Sequence, residues 1–295
     1  MKLIRSELMK IRTTNVWWLF GIGIIFFTAV ALAIWIAFGN DQINTAVTQG
    51  NAPFVPPEGD FSQTEIETMR QQWVVSHDIN RLLAMTAAQI YTSGQFFGLM
   101  FVMLLGAILM TNEFYHQTAT ATFLVTPQRT KVILAKLGTA VLAAAFFWIL
   151  TTGISVIAGS IFFSNKGYSS QLGEWPVTRA ILMNGLAYGL WGILGVGLGV
   201  LIRNQIGAVI VGAAGYVLGT QVVQLAVFLV SQWLDSDAIL KAIVAWPAVA
   251  SQVMVSTESV FPGSPQWWVG ALVLVAYGVV LGVVGTLITR KRDIT

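Results

Sequence analysis

The chain has 295 residues, of which 56% are hydrophobic and only 10% are charged, and its mean hydropathy is +0.73. This composition lies far outside that of soluble globular proteins and is typical of an integral membrane protein. The absence of cysteine excludes disulfide bonds and thiolate metal sites. The net charge of +3 is small, and we expect no nucleic-acid partner.

Six apolar stretches are long enough to cross a hydrocarbon core of about 30 Å, which takes roughly 20 helical residues. We predict transmembrane helices over residues 16–38, 95–111, 137–163, 180–202, 207–230 and 268–289. The first stretch is too long for the core of a cleaved signal peptide, and no small-residue cleavage pattern follows it closely. The predicted fold is therefore an all-α integral membrane protein with a single domain over residues 1–295.

Pairs of glycines four residues apart recur within the predicted spans. They are Gly185/Gly189, Gly195/Gly199, Gly215/Gly219 and Gly278/Gly282. Such spacing lets helix backbones approach closely and favours a tightly packed bundle. The alternative is that glycine is simply common in membrane helices, and this explains any single pair equally well.

The distribution of basic residues predicts the topology, because lysine and arginine translocate poorly and accumulate on the cytoplasmic side. With the N-terminus inside, 11 of the 16 basic residues are cytoplasmic and ten of the 13 acidic residues are outside. The reversed topology would keep only five basic residues inside. We therefore predict a multi-pass protein of the plasma membrane with both termini in the cytoplasm.

Residues 1–15 are predicted to form an amphipathic helix that lies in the membrane interface. Its apolar arc contains Ile4, Leu8 and Ile11. The opposite side is predicted to carry the basic residues Lys2, Arg5, Lys10 and Arg12. Trp17 and Trp18 would mark the point where the chain enters the bilayer. The alternative is an ordinary basic flank that only obeys the orientation rule.

Two segments are predicted on the outer side. The loop 39–93 is expected to begin with turns and then to contain a helix that starts at the capping box formed by Ser62 and Glu65. The segment 233–266 is half apolar and is interrupted by Pro247. It is a candidate for a re-entrant hairpin, which requires that neighbouring helices satisfy its backbone.

The chain lacks the motifs of the common catalytic sites. It has no Gly-x4-Gly-Lys-Ser/Thr loop, no His-Glu-x-x-His and no Gly-x-Ser-x-Gly, and the predicted span interiors contain no Asp, Glu, Lys, Arg or His. His77 stands beside Asp78 without partner ligands for a metal. We therefore expect no enzyme activity and no metal. The polar residues in the spans are interpreted first as interhelical hydrogen-bonding groups and second as pathway-lining groups: Asn184, Gln221 and Gln224.

The segment 111–137, TNEFYHQTATATFLVTPQRTKVILAKL, interrupts the apolar sequence with an ordered set of polar and helix-ending residues. The set is Glu113, Thr118, Leu124, Pro127, Arg129 and Lys136. It resembles the first cytoplasmic loop of permeases of the ABC-2 type, the second exporter class of ATP-binding cassette transporters. The stretches RSELMKIRTTNVWW, GVGLGVLIRNQIGAVIVG and AWPAVASQVMVS are similar to this family as well. Two positions depart from the family: Tyr115 replaces a common basic residue, and Gln117 replaces a usual glycine.

The resemblance implies that the chain is a permease subunit of an exporter. Loop 112–136 would contain a coupling helix, residues 113–126, that docks on a separate ATPase subunit. Two such ATPases, a second permease copy or a close paralogue, and membrane lipid would be its partners. ATP and Mg would be bound by the ATPase, and this chain would hold no cofactor. The residues implied in docking are Glu113, Tyr115, His116, Gln117, Thr118, Thr122, Leu124, Pro127 and Arg129.

The residue chemistry of the loop agrees with a short helix. Glu113 in its first turn would favour the positive end of the helix dipole, and Pro127 would end the helix. An amphipathic drug, a lipid or a peptide fits the uncharged spans better than a small ion as a substrate. Two alternatives remain: a non-transporting membrane component for immunity, sensing or anchoring that binds an ATPase or a signalling partner, and, less favoured, a membrane enzyme.

Overall fold

The computed structural model describes residues 2–49, 54–76, 78–117, 128–234, 236–261 and 263–291. Over these residues the regular structure is helical, which confirms the predicted all-α class. The helices are α1 (Lys2–Thr13), α2 (Val16–Gln49), α3 (Gln63–Ser76), α4 (Ile79–Tyr91), α5 (Gln95–Tyr115), α6 (Arg129–Asn165), α7 (Trp175–Leu201), α8 (Gln205–Trp233), α9 (Asp237–Ala242), a 3₁₀ turn (Ile243–Ala245), α10 (Pro247–Val255) and α11 (Trp267–Lys291).

Six helical stretches are long and apolar enough to span a membrane, as the sequence predicts. They are Val16–Thr48, Ile79–Tyr115, Thr130–Asn165, Trp175–Leu201, Gln205–Trp233 and Trp267–Ile288. The second stretch consists of α4 and α5 with a short break between them. The molecule is therefore a multi-pass membrane protein.

Helices α5 and α7 form the centre of the bundle. A Cβ atom built on Gly195 of α7 would lie 2.0 Å from the carbonyl oxygen of Met103 in α5, and one on Gly199 would lie 2.6 Å from that of Ala107. The two helices therefore pack backbone against backbone. Of the predicted glycine pairs, Gly195/Gly199 is the one that brings two helix backbones together among the described residues, because the other pairs face side chains or open space.

The predicted outer loop 39–93 is helical at both of its ends. Helix α2 continues 11 residues past the predicted end at Phe38, to Gln49, and α4 packs against α2, α6 and α7. The reason is burial: Ile43 of α2 is 1% exposed, and Ile90 of α4 is fully buried in the same cluster. The boundary predicted from hydropathy was wrong here, since polar residues on one side of a helix do not end it.

Helix α3 begins as predicted at a capping box. The backbone N–H of Ser62 donates to Glu65 Oε2 over 2.8 Å, and the backbone N–H of Glu65 donates to Ser62 Oγ over 3.3 Å. These reciprocal bonds satisfy two backbone donors at the start of the helix. Hydrogen bonds from the side chain and backbone of Ser62 also lower the pKa of Glu65.

The segment before the last span is a sharply bent pair of short helices, a geometry that fits either a broken span or the predicted re-entrant hairpin. Residues 238–245 and α10 are bent by 101° at Trp246, and most of α10 is buried. Trp191 Nε1 donates to Ser251 Oγ over 2.7 Å, and a Cβ on Gly270 of α11 would lie 2.4 Å from the carbonyl oxygen of Ala250. Neighbouring helices therefore enclose this short helix, which such a hairpin requires.

Candidate functional site

The predicted docking residues lie where α5 ends and α6 begins. Tyr115 is the last residue of α5 and is 64% exposed, and His116 and Gln117 follow it on the surface. Arg129 is the first residue of α6. The remaining predicted docking residues, Thr118, Thr122, Leu124 and Pro127, lie outside the described residues, as does His77. The coupling helix therefore stays a prediction.

Glu113 is placed differently from the prediction. It belongs to the last turn of α5 and is 3% exposed. The C-terminal end of a helix carries partial negative charge, so the dipole disfavours a carboxylate there. The interpretation of Glu113 as a first-turn residue of a docking helix was wrong. Because its side chain is buried, it is also not free to contact another subunit.

Four charged side chains from three helices meet at the end of α5, and we call them the ionic cluster. They are Glu7 and Lys10 of α1, Glu113 of α5 and Lys136 of α6. Lys136 Nζ lies 2.9 Å from Glu7 Oε2 and 3.0 Å from Glu113 Oε1, and it donates to the carbonyl oxygen of Leu109 over 3.0 Å. Lys10 Nζ lies 2.5 Å from Glu7 Oε1 and 3.0 Å from Glu113 Oε1. Lys136 therefore donates two hydrogen bonds, to Glu7 and to the carbonyl oxygen of Leu109, and forms an ion pair with Glu113 as well.

The ionic cluster is balanced and mostly buried. The side chains of Glu7 and Glu113 are 4% exposed, that of Lys136 is 1% exposed, and that of Lys10 is 42% exposed. A buried ion pair adds little net stability, but removing one partner is strongly destabilising because the other charge is left uncompensated. The cluster therefore fixes the position of α1 against α5 and α6.

The two residues of α1 show the electrostatic effect of the cluster. Burial raises the pKa of Glu7, but Lys136 and Lys10 more than offset this and hold the pKa below its ordinary value of 4.5. Burial lowers the pKa of Lys10, but the hydrogen bond to Glu7 and the charge of Glu113 raise the pKa above its ordinary value of 10.5. Both groups therefore keep their charge over a wider range of pH in the folded protein than when they are free in water.

We expect the attachment of α1 to be independent of pH between about 5 and 10 and to weaken on either side. The contribution of Glu7 is complete above its ordinary pKa of 4.5 and is lost as the pH falls through its lowered folded pKa. The contribution of Lys10 is complete below 10.5 and is lost as the pH rises through its raised folded pKa. Because the chain has no cysteine, spin labels on Leu8→Cys and Leu134→Cys measure the α1–α6 distance directly.

The distribution of distances between the spin labels on α1 and α6 should be narrow at pH 7 and should broaden below pH 4. A control pair on α6 and α7, Leu142→Cys and Leu186→Cys, should not change at the same pH. A distribution for the α1–α6 pair that remained narrow at pH 3 would contradict the role of Glu7.

Glu7 was not among the residues predicted from the sequence, and Lys10 was predicted on the wrong side of α1. The face of α1 toward the bundle contains Ile4, Glu7 and Ile11, whereas Leu8 of the predicted apolar arc is 38% exposed. Lys10, predicted on the opposite side, reaches Glu113. The sequence nevertheless contained a signal for the burial of Glu7. This acid lies three residues after Ile4 and four residues before Ile11, and residues at these spacings lie on the same face of a helix.

One further contact and a cavity lie at the end of α5. The guanidinium of Arg203, in the turn between α7 and α8, lies 5.6 Å from the ring centre of Phe114. A cavity of about 290 Å³ opens beside the ionic cluster and is lined by Lys10, Asn112 and His116 among others. The last turn of α5 thus contacts α1, α6 and the α7–α8 turn.

Gln117 has a φ of 55°, a left-handed conformation that favours glycine. It directly follows the capping residue of α5, where helices commonly end with glycine. We expect Gln117→Gly to increase the free energy of unfolding by about 1 kcal/mol, because a side chain in this conformation costs about that much. Chemical unfolding in mixed micelles measures the change.

The matched control for this variant is Gln128→Gly, whose φ is −82°. It should give no gain, since glycine relieves no strain at that backbone conformation. Equal effects of the two substitutions would show that the backbone at Gln117 is not strained.

The three amides predicted in the spans do not share a surface. Asn184 is 1% exposed within α7, and its Oδ1 has no hydrogen-bond partner among the described residues. Gln221 is exposed on α8 and Gln224 is partly exposed there, next to exposed apolar residues such as Leu218 and Val222. The hydrogen bond expected for Asn184 is thus not made by its Oδ1, and the amides do not outline a pathway within this chain.

A comparison with protein families finds one match that covers most of the chain. The model of a family described as a protein of unknown function, DUF2705, matches residues 72–295. This region includes Glu113 and Lys136 but begins after α2, so Glu7 and Lys10 lie outside it. No curated protein matches the chain.

Proposed function

This chain belongs to the DUF2705 family, whose description assigns no function, and we propose from its geometry that it is the membrane permease subunit of an ATP-binding cassette exporter. A separate ATPase subunit would dock on the connection between α5 and α6. Two ATPases and a second permease copy or a paralogue would complete the complex. ATP and Mg would be bound by the ATPase.

The observation that carries the proposal is the ionic cluster at the end of α5. The connection from His116 to Gln128 joins α5 to α6. The ion pair between Lys136 and Glu113 links the same two helices, one or two helical turns away from this connection. Force applied to the connection would therefore act on α5 and α6 as one unit. Since α5 packs backbone against backbone on α7, it would also move the centre of the bundle.

The exposed surface at this end supports docking of a soluble partner. Tyr115 is 64% exposed although it is aromatic, and aromatic residues are enriched where proteins bind partners. His116 and Gln117 extend the same surface. In this account Glu113 contributes by positioning α5, and Tyr115, His116 and Gln117 make the contacts.

ATP hydrolysis by the purified complex of this chain with the ATPase of a neighbouring reading frame tests the coupling. We expect Glu113→Ala combined with Arg129→Ala to lower the stimulation of hydrolysis by at least tenfold, because the first change frees α5 from the lysines and the second alters the start of α6. Stimulation equal to that of the parent would show that the coupling assignment is wrong.

The second candidate function is a non-transporting component that binds an ATPase or a signalling partner. It is favoured by one observation: Asn184 is buried while Gln221 is exposed, so a polar pathway is not outlined within the single chain. Assays in sealed vesicles with fluorescent amphipathic drugs separate the two functions. An exporter should move such a compound when ATP is supplied, whereas a sensor should move none at any ATP concentration.

A further inference from the structure

A second cavity lies at the end of the bundle opposite the ionic cluster, and we call it the far-end cavity. Its volume is about 570 Å³, within the range of roughly 300–1,000 Å³ that is usual for sites of small ligands. It lies where α4 breaks from α5 and where α10 ends, and α2 forms a further wall.

Among its described residues, the far-end cavity offers hydrogen-bonding groups and no unpaired charge. Gln89 of α4 and Gln252 of α10 line it, and neither side-chain amide makes a hydrogen bond with the described residues. Each free amide carries two donors and one acceptor oxygen. Thr257 also lines the cavity. Glu258, the one acid among the described lining residues, is already paired with Arg81, which lies on a neighbouring cavity.

Aromatic side chains form the other part of the lining. Trp35 of α2 and Phe96 of α5 both line the cavity. Aromatic side chains beside neutral amides suit a molecule that has apolar C–H faces and hydroxyl groups on its edges. A phosphate group would instead require a free cation, and the described lining residues provide none.

The depth of the cavity places it at a membrane surface. Helix α5 has 21 residues, so Gln95 lies about 30 Å from Tyr115 at a rise of about 1.5 Å per residue. Trp35 lies a similar distance, about 29 Å, along α2 from Val16. With Val16 and Tyr115 at the cytoplasmic surface, as the topology predicts, both lengths match the hydrocarbon core of about 30 Å and place the cavity at the depth of the opposite headgroups.

We propose that the far-end cavity binds a neutral saccharide, held by the amides of Gln89 and Gln252 and covered on one side by Trp35. The saccharide is either free or the headgroup of a glycolipid in the adjacent leaflet. This site is distinct from the docking surface at the other end of the bundle, and its ligand does not depend on an ATPase partner.

Native mass spectrometry of the purified full chain in a polyoxyethylene detergent, which has no sugar headgroup, tests the site. The probes are a diglucosyl diacylglycerol, free maltose, a phosphatidylcholine, a phosphatidylglycerol and a blocked trialanine peptide. We expect the glycolipid to bind at least tenfold more tightly than either phospholipid. Binding of maltose as well would identify a site for free saccharide, and binding of the glycolipid alone would identify a headgroup site.

Paired variants locate the binding in the cavity. Gln89→Ala combined with Gln252→Ala should raise the Kd of the glycolipid at least tenfold, whereas Gln72→Ala, an exposed amide of α3, should leave it within twofold. Circular dichroism and gel filtration verify that the variants are folded. Equal binding of glycolipid and phospholipid, preferred binding of the peptide, no binding of any sugar, or unchanged binding by the double variant would each overturn the proposal.

Discussion

Lys136→Met is expected to lower the free energy of unfolding by about 3–5 kcal/mol, the usual cost of removing one partner from a buried ion pair. The lysine side chain is 1% exposed and contacts both Glu7 and Glu113. After the substitution, the two buried carboxylates share Lys10, which is 42% exposed. Urea unfolding in mixed micelles measures the loss, and the spin-label distance between α1 and α6 reports whether α1 detaches.

Lys131→Met is the matched control, because Lys131 is exposed on the same helix. It should change the free energy of unfolding by less than about 0.5 kcal/mol. Adding Glu113→Gln to Lys136→Met should recover part of the loss, since it removes one uncompensated charge, with a coupling energy of about 1–3 kcal/mol. Equal losses in the two lysine variants would mean that the ionic cluster does not hold α1 in place.

Gly195→Ala is the second substitution with a large expected effect. Its Cβ would lie 2.0 Å from the carbonyl oxygen of Met103 and 2.8 Å from the carbonyl carbon. Backbone atoms cannot rotate away as a side chain can, so α5 and α7 must separate along their contact. We expect a loss of about 2–4 kcal/mol in the free energy of unfolding, measured in the same micelles.

Gly153→Ala is the control for the glycine substitution, because it also lies within a spanning helix but nothing lies within 4 Å of its Cβ position. It should be neutral or stabilising by up to about 1 kcal/mol, since alanine favours a helix over glycine. If the two variants were equally stable, the close approach of α5 and α7 would be refuted.

The spans and one glycine contact could be predicted from the sequence because hydropathy and glycine spacing are local signals. The end of α2 could not be predicted in this way. Asn40 and Asp41 follow the apolar run, but Ile43 one helical turn later is buried against α4. Hydropathy indicates which residues can contact lipid, whereas tertiary contacts decide where the helix ends.

The ionic cluster could be predicted only in part. Glu113 and Lys136 stand out as charges beside apolar stretches, and both lie in the segment that resembles ABC-2 permeases. Their buried partner Glu7 is 129 residues from Lys136 in the chain, and no local pattern links the two. The predicted position of Glu113, in the first turn of a docking helix, was wrong for the same reason. A buried carboxylate at the end of α5 requires lysines from other helices.

We propose that a soluble ATPase docks where α5 joins α6. A photoreactive amino acid at Tyr115, which is 64% exposed, tests this claim in living cells, with the same label at Trp233 as the control. Trp233 is 83% exposed at the opposite end of the bundle. We expect the label at Tyr115 to crosslink to a protein that carries the phosphate-binding loop of ATP-binding cassette ATPases, and we expect the label at Trp233 not to do so. If no such ATPase were found among the crosslinks from Tyr115, or if both positions gave it in equal yield, the proposed docking at this connection would be wrong.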